Sequence, residues 1–432
     1  MMKKQSLSLG TILLFMTVAT TDAQTVRLTL GEAIDRAMET SHRLAEAMAL
    51  EAGAQASVRV SESADQPTVT LSGGYTRTNH VDPFGVAQPG LGVQVIYPDI
   101  PDNFFSRAAM EWPIYTGGRS DALQRAAEAE ARAAGFDVQA TRSDLRLEVV
   151  RAYWALATAT EALRVLDEAV SRADADVRDV RARFDNGLIP PNEVASAEAQ
   201  RSRQQVQQIE ARNLRSGAME DLRRLTGVVG EIEIAERLEA PVPPAGTPAD
   251  ASPRAERQAQ ADRIVAADER RRAAETGRRP TVSVIGAIDY ANPNPHIFPR
   301  RDRWQESWEL GVSANWSLWD GGRTAAEVAQ AGAAATAARA RLDELDSLFA
   351  LEIRQRLLDL DSARASLVAA GDGVRSAAEA RRVVAERFAV GVATSTEVLD
   401  AQLALLQAEL DRTRALAAIR LAEARLERAL GR

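Results

Sequence analysis

The sequence predicts a mostly α-helical protein with a smaller β part, built from a duplicated helix, strand, strand, long helix, turn, helix unit. Three observations carry this: a chain written twice, two proline-free stretches with heptad spacing, and two pairs of alternating segments. Four strands per chain are too few to close a lipid-embedded cylinder, and open edges cannot face hydrocarbon. Strands must then be pooled: two copies would supply eight and three would supply twelve. The helices argue for three, since four helical columns per chain become twelve around a wide bore. The expected architecture is a trimeric α-barrel tunnel with a shared twelve-stranded β-barrel.

The duplication is read from landmarks. WPIYTGGRS at 112–120 returns as WSLWDGGRT at 316–324, and RFDNGLIPPNEV at 183–194 returns as RFAVGVATSTEV at 387–398, both at an offset of 204. Gly227 and Gly431 share that offset. Upstream, QPTVTLSGGY at 66–75 matches RPTVSVIGAI at 279–288 at an offset of 213, so a loop between Pro67 and Trp112 has changed length. Chance similarity between alanine-rich helices would not keep such a register.

Composition removes several classes. The 432 residues are 26% charged with a net charge of −8, whereas a nucleic-acid role calls for a basic surface. Cysteine is absent and His42, His80 and His296 are scattered, so disulfides, thiolate metal sites and cysteine nucleophiles are excluded and no cofactor is expected. No nucleophile motif or phosphate loop is found either, so an enzyme is not expected. The roughly 80 alanines suit helices packed closely along their length.

The elements follow in order. Lys3 and Lys4, an apolar run from Leu7 to Val18, and Thr21-Asp22-Ala23 read as an export signal over 1–23. No later stretch approaches eighteen consecutive apolar residues, so helical membrane anchors are not expected. The first repeat, 24–227, opens with a helix over Glu32–Ser61 and a strand pair within 67–116. Its long helix, 119–184, contains no proline and would be about 100 Å long at roughly 1.5 Å per residue. Leu145, Val149, Ala152, Leu156, Ala159 and Leu163 begin a four-three spacing that continues to Phe184. A tip turn at 185–191 uses Asn186-Gly187 and Pro190-Pro191, and the return helix covers 192–227. Prolines 241, 243, 244, 248 and 253 mark a linker over 228–253.

The second repeat, 254–432, gives a helix, a strand pair within 280–319, a long helix over 323–388, a tip turn at 389–396 and a return helix over 397–430. Thr394 and Glu397 fit a capping box. Leu188 and Val392, beside Gly187 and Gly391, would be apolar at the hairpin tips, where they meet either a partner protein or a neighbouring hairpin.

In the strands, Trp308, Leu310, Val312 and Ala314 alternate with Glu309, Gly311, Ser313 and Asn315, while Ala108, Met110 and Trp112 alternate with Arg107, Ala109 and Glu111. A period of two says half-covered strand, whether the apolar face meets protein or lipid. Composition favours lipid. Tyr75, Trp112, Tyr290, Trp308, Trp316 and Trp319 lie in or beside these segments, and such rings sit well at a membrane interface.

Together, the duplication, the paired GGR strand-to-helix junctions, the RF…G tips and EVLDAQ at 397–402 resemble the TolC-like outer-membrane factor family of efflux and secretion channels. The resemblance covers essentially the whole mature chain. It implies a homotrimer in outer-membrane lipid with a tunnel crossing the periplasm, docked by its tips to a periplasmic adaptor protein and an inner-membrane transporter. The absence of cysteine removes the lipid anchor some members carry. With the last helix closing at Arg432, the mid-tunnel belt is expected from the linker and the mature N-terminus. The resemblance places a pore constriction at Glu397 and Asp400, with Glu193 in the first hairpin and Ser196 opposite Asp400. The plainer reading makes these acids complements of the helix dipole. A soluble periplasmic coiled-coil adaptor or scaffold is the alternative; it accounts for the heptads but not for the aromatic-bordered strands.

Overall fold

The structure, a computed structural model, describes residues 25–90, 92–238 and 252–432. The export signal and prolines 241, 243, 244 and 248 lie outside the described residues. The first repeat contains β1 (Val26–Leu28), α1 (Leu30–Thr40), α2 (His42–Ser63), β2 (Thr68–Arg77), β3 (Phe84–Gln88), β4 (Gly92–Tyr97), β5 (Asp102–Tyr115), α3 (Arg119–Asp185) and α4 (Pro191–Thr226). After β6 (Ile232–Ile234), the second contains α5 (Ala255–Glu275), β7 (Thr281–Asn292), β8 (Gln305–Asn315), α6 (Arg323–Ala389) and α7 (Ser395–Ala429). No described helix is long and apolar enough to cross a membrane. The described residues form two compact units, one of 25–41, 146–238 and 361–422, the other of 42–145, 252–360 and 423–432.

The first unit is helical. In α3 the heptad positions Val149, Ala152, Leu156, Leu166, Val170, Ala173, Val177 and Val180 are buried. Val165, Leu166 and Ala169 form one cluster with Ala211 of α4 and Leu406 of α7, so α3 is packed against both return helices. On α6 the same unit leaves Val368 67% exposed, a bare apolar position beside its covered seam.

A small belt completes this unit. β1 and β6 pair in parallel, Val26 opposite Ile232 and Leu28 opposite Ile234. The fully buried Tyr153 of α3 places its hydroxyl 3.0 Å from the Leu28 carbonyl and against the Glu236 carboxylate. Glu236 in turn accepts the Leu30 N–H at 3.1 Å, one of the amides a helix start leaves without an internal partner. At Thr29 the capping box is complete, with the hydroxyl accepting from Glu32 N–H and the Glu32 carboxylate accepting from Thr29 N–H.

The single helix expected over Glu32–Ser61 is divided. Ser41 takes an extended conformation with ψ of 114°, and the Thr40 hydroxyl reaches the Leu225 carbonyl at 3.2 Å. A contact 185 positions away, rather than any proline or glycine, accompanies the break.

The second unit carries the β part. Its helical portion is lined with alanine: Ala122, Ala126, Ala129 and Ala133 of α3 and Ala259, Ala266 and Ala273 of α5 are buried. Ion pairs Arg125–Glu269 and Arg132–Asp262, each 3.0 Å, border the α3–α5 contact. Arg257–Asp346 and Arg339–Asp268, each 2.7 Å, join α5 to α6. The sheet is antiparallel in the order β2-β5-β7-β8. Pro113, within a central strand, stands beside a register shift between Pro113 and Tyr115, where a missing N–H is tolerated. β8 ends at Asn315, leaving Trp316 and Trp319 beyond it. The length difference between repeats is taken up by the β3–β4 hairpin, an addition unseen in the sequence.

Candidate functional site

Alternation sorts the sheet into two faces. Pairings Ser72↔Arg107, Arg107↔Asp289 and Ala287↔Glu309 put these residues on one side, with Thr70 and Ser307. There Arg107 donates to Asp289 at 3.1 Å and also to Glu309, a charged cluster spanning three strands. The opposite face carries Val69, Leu71, Ile288, Trp308, Leu310 and Val312, with Leu71 79% and Trp308 78% exposed. Among the described residues, neither β2 nor β8 has a partner on its outer edge.

Aromatic rings gather at both ends of the strands. At the loop end Tyr75 meets Phe104 at 4.8 Å, Phe104 meets Trp304 at 6.1 Å, and Tyr290 stacks on Trp304 at 4.9 Å. At the helix end the Trp112 indole donates to the Asp65 carbonyl and the Trp316 indole to the Arg278 carbonyl, both at 3.0 Å. Phe104 and Trp112 are roughly 27 Å apart along β5 at about 3.4 Å per residue. On a strand tilted by about 35–45°, that length covers about 19–22 Å of height, most of the apolar band of about 25 Å expected of a membrane barrel. Trp308, opposite Ile288, lies between the two groups rather than in either.

The helix starts below the sheet repeat one device. Gly117 and Gly118 have φ of 68° and 88°, as do Gly321 and Gly322. Thr116 and Ser120 share a 2.6 Å hydrogen bond at the start of α3, and Asp320 caps α6 by accepting the Thr324 N–H at 2.8 Å.

Both hairpin tips end their long helices in a Schellman motif. Gly187 N–H reaches the Phe184 carbonyl and Leu188 N–H the Arg183 carbonyl; Gly391 and Val392 do the same with Phe388 and Arg387. Gly187 and Gly391 take φ of 71° and 77°, and Leu188 and Val392 are exposed. The Arg183 guanidinium lies 4.4 Å from the centre of the Phe388 ring.

The three acidic residues singled out in the sequence have different surroundings. Glu397 and Asp400 are both exposed, one turn apart on α7, with Arg387 3.9 Å from Glu397. Thr394 accepts the Glu397 N–H at 3.3 Å, so Glu397 is also part of a cap. Glu193 is half-buried and accepts the Ser395 hydroxyl at 2.7 Å. Sequence reasoning passed over Ser395 and Glu236, because their partners lie far away along the chain.

The model of the outer membrane efflux protein family matches residues 33–228 and 254–432. This chain belongs to the outer membrane efflux protein family. The two matched segments correspond to its two repeats. Protein CyaE of Bordetella pertussis is 30% identical over 203 residues, 46% of this chain and 40% of that protein. The outer membrane protein TolC of Vibrio cholerae is 25% identical over 292 residues, 65% of this chain and 66% of that protein. The chain thus spans less than two thirds of the length of these curated relatives. Among solved structures, the CmeC outer membrane channel of Campylobacter jejuni has a TM-score of 0.79 at 18% identity, covering 93% of this chain and 85% of that one. As a member of the efflux family, the protein is located in the outer membrane and extends into the periplasm.

Proposed function

We propose that three copies form a passive exit duct, with a shared twelve-stranded barrel in the outer membrane and an α-helical tunnel in the periplasm. The observation that carries this reading is the sheet: charged on one face, bare and apolar on the other, and, among the described residues, unpaired on both edges. A soluble periplasmic adaptor has no use for such a face. Exposed Val368, together with Leu351 and Leu358 at 51% and 70% exposure on α6, would be covered by helices of neighbouring copies.

In this reading the domains are a signal over 1–23, repeats over 24–227 and 254–432, and an equatorial linker over 228–253. The aromatics Tyr75, Trp112, Tyr290, Trp316 and Trp319 lie at the membrane borders, with Trp308 against lipid between them. The tips at Gly187, Leu188, Gly391 and Val392 meet a periplasmic adaptor coupled to an inner-membrane transporter, which supplies the energy. The constriction is formed by Glu397 and Asp400, with Glu193 held beside them by Ser395. Threefold repetition of Glu397 and Asp400 would create six carboxylates, a field that favours cations. Opening the duct requires the tip hairpins to move apart.

Membrane fractionation and planar-bilayer conductance test the proposal. The duct should resist salt and carbonate, need detergent for release, and conduct ions. A protein washed off by carbonate and silent in bilayers would overturn it.

A further inference from the structure

The two β-hairpins are equivalent to the residue. Thr68 faces Glu111 across β2–β5, and Thr281 faces Asn315 across β7–β8. These pairs are related by the same offsets, 213 and 204, that relate the two sequences. The Trp112 and Trp316 indole bonds repeat the equivalence at 3.0 Å.

The symmetry is incomplete at one point. Arg279, just before β7, covers the Gly117–Gly118 turn: its guanidinium donates to the Gly117 carbonyl at 2.8 Å, and its own Cβ would lie 2.8 Å from a Cβ added to Gly117. Gly321 and Gly322 have the same backbone but open space, with nothing within 4 Å of an added Cβ. The residue matching Arg279 at the 213 offset is Gln66. Gln66 is exposed at the start of β2, the far edge strand of the same sheet.

We infer that Gln66 of a second copy of this chain covers Gly321–Gly322, and that β8 pairs with that copy's β2 in the register of β5 with β7. The inference rests on the proposed assembly and specifies its seam. Trp112↔Val284 becomes Trp316 opposite the partner's Leu71, and Glu111↔Ile285 becomes Asn315 opposite the partner's Ser72. Ala109↔Ala287 becomes Ser313 opposite the partner's Gly74. In this register the apolar face continues from Val312 and Ala314 onto the partner's Tyr75 and Gly73. The polar face continues from Ser313 and Asn315 onto the partner's Gly74 and Ser72. A slip of one residue would turn Leu71 toward the charged face. Gln66 supplies an amide donor for the Gly321 carbonyl, the role of the Arg279 guanidinium inside the chain.

The absence of cysteine makes the test clean. In detergent-purified protein, the double variant Ser72→Cys, Asn315→Cys should oxidise to a covalent trimer on non-reducing gels. The pair Ser72→Cys, Ser313→Cys is diagonal, about 7–8 Å apart, outside disulfide reach, and should cross-link at least several-fold less. Equal or better cross-linking of the diagonal pair would overturn the register. Native mass spectrometry separates the two readings: trimers without either cross-link reject this seam alone, whereas monomers reject the assembly. Gln66→Ala should lower the temperature at which the trimer dissociates, and Gln66→Arg should restore it; no change with Gln66→Ala would reject the clamp.

Discussion

Ser395 donates its hydroxyl to the Glu193 carboxylate at 2.7 Å, tying the starts of two return helices that are 202 positions apart in sequence. Glu193 is half-buried while Glu397, its equivalent at the 204 offset, is exposed, so the matching acids of the two hairpins have different surroundings. Glu193 holds the hairpins together, and Glu397 with Asp400 presents charge to solvent.

The double variant Glu397→Gln, Asp400→Asn is therefore expected to lower the cation-to-anion permeability ratio in planar bilayers several-fold. Glu193→Gln alone should change it much less. Reversal potentials in a salt gradient measure both, and unchanged selectivity in the double variant would reject these two residues as the filter.

A second prediction concerns acid stability. Burial alone would raise the Glu256 pKa, but hydrogen bonds from Arg254 and Arg428 outweigh it and lower it from 4.5 to about 2. The folded value lies below the unfolded one, so this stabilisation is complete above about pH 4.5 and is lost as pH falls toward 2. Glu256→Gln should cost about 2 kcal/mol at pH 7, leaving two guanidinium groups short of a partner. Thermal melts should show the deficit at pH 7 and its disappearance near pH 2.

Glycine substitutions should separate conformation from space. Gly187→Ala and Gly391→Ala meet open surroundings, so only their positive φ resists, at about 1–2 kcal/mol each. Gly53→Ala, in the interior of α2 with equally open surroundings, should instead stabilise by about 0.5–1 kcal/mol. Opposite shifts in melting temperature are expected, and shifts of the same sign would contradict the assignment.

At the belt, Tyr153→Phe removes the hydroxyl shared by the Leu28 carbonyl and Glu236. A loss of about 1–3 kcal/mol is expected from the unsatisfied buried groups. Hydrogen exchange should quicken at Val26–Leu28 and Ile232–Ile234 while the sheet amides keep their protection. Unchanged exchange in β1 and β6 would show that Tyr153 does not hold them.

Legibility followed the length scale of the pattern. The alternation of Trp308, Leu310 and Val312 and the heptad run from Val149 to Val180 are periodic over many residues, so face and element could be read directly. The tips were legible because positive φ after a helix calls for glycine, and Gly187 and Gly391 stand there. Three-residue strands such as Val26–Leu28 are too short for a period to show. The break at Ser41 coincides with the Thr40 hydroxyl reaching the Leu225 carbonyl, and nothing beside Ser41 in the sequence announces it.

The sequence by itself determined the duplication, the helix-rich class, the faces of the strands and the glycine turns, because each depends on neighbours within a few positions or on a constant offset. Tertiary structure decided which acid ties the two hairpins and which face solvent, the belt around Tyr153, and the seating of Arg279 on Gly117. Those depend on distances between residues some 80 to 200 positions apart, which periodicity does not encode and only the packed chain can set.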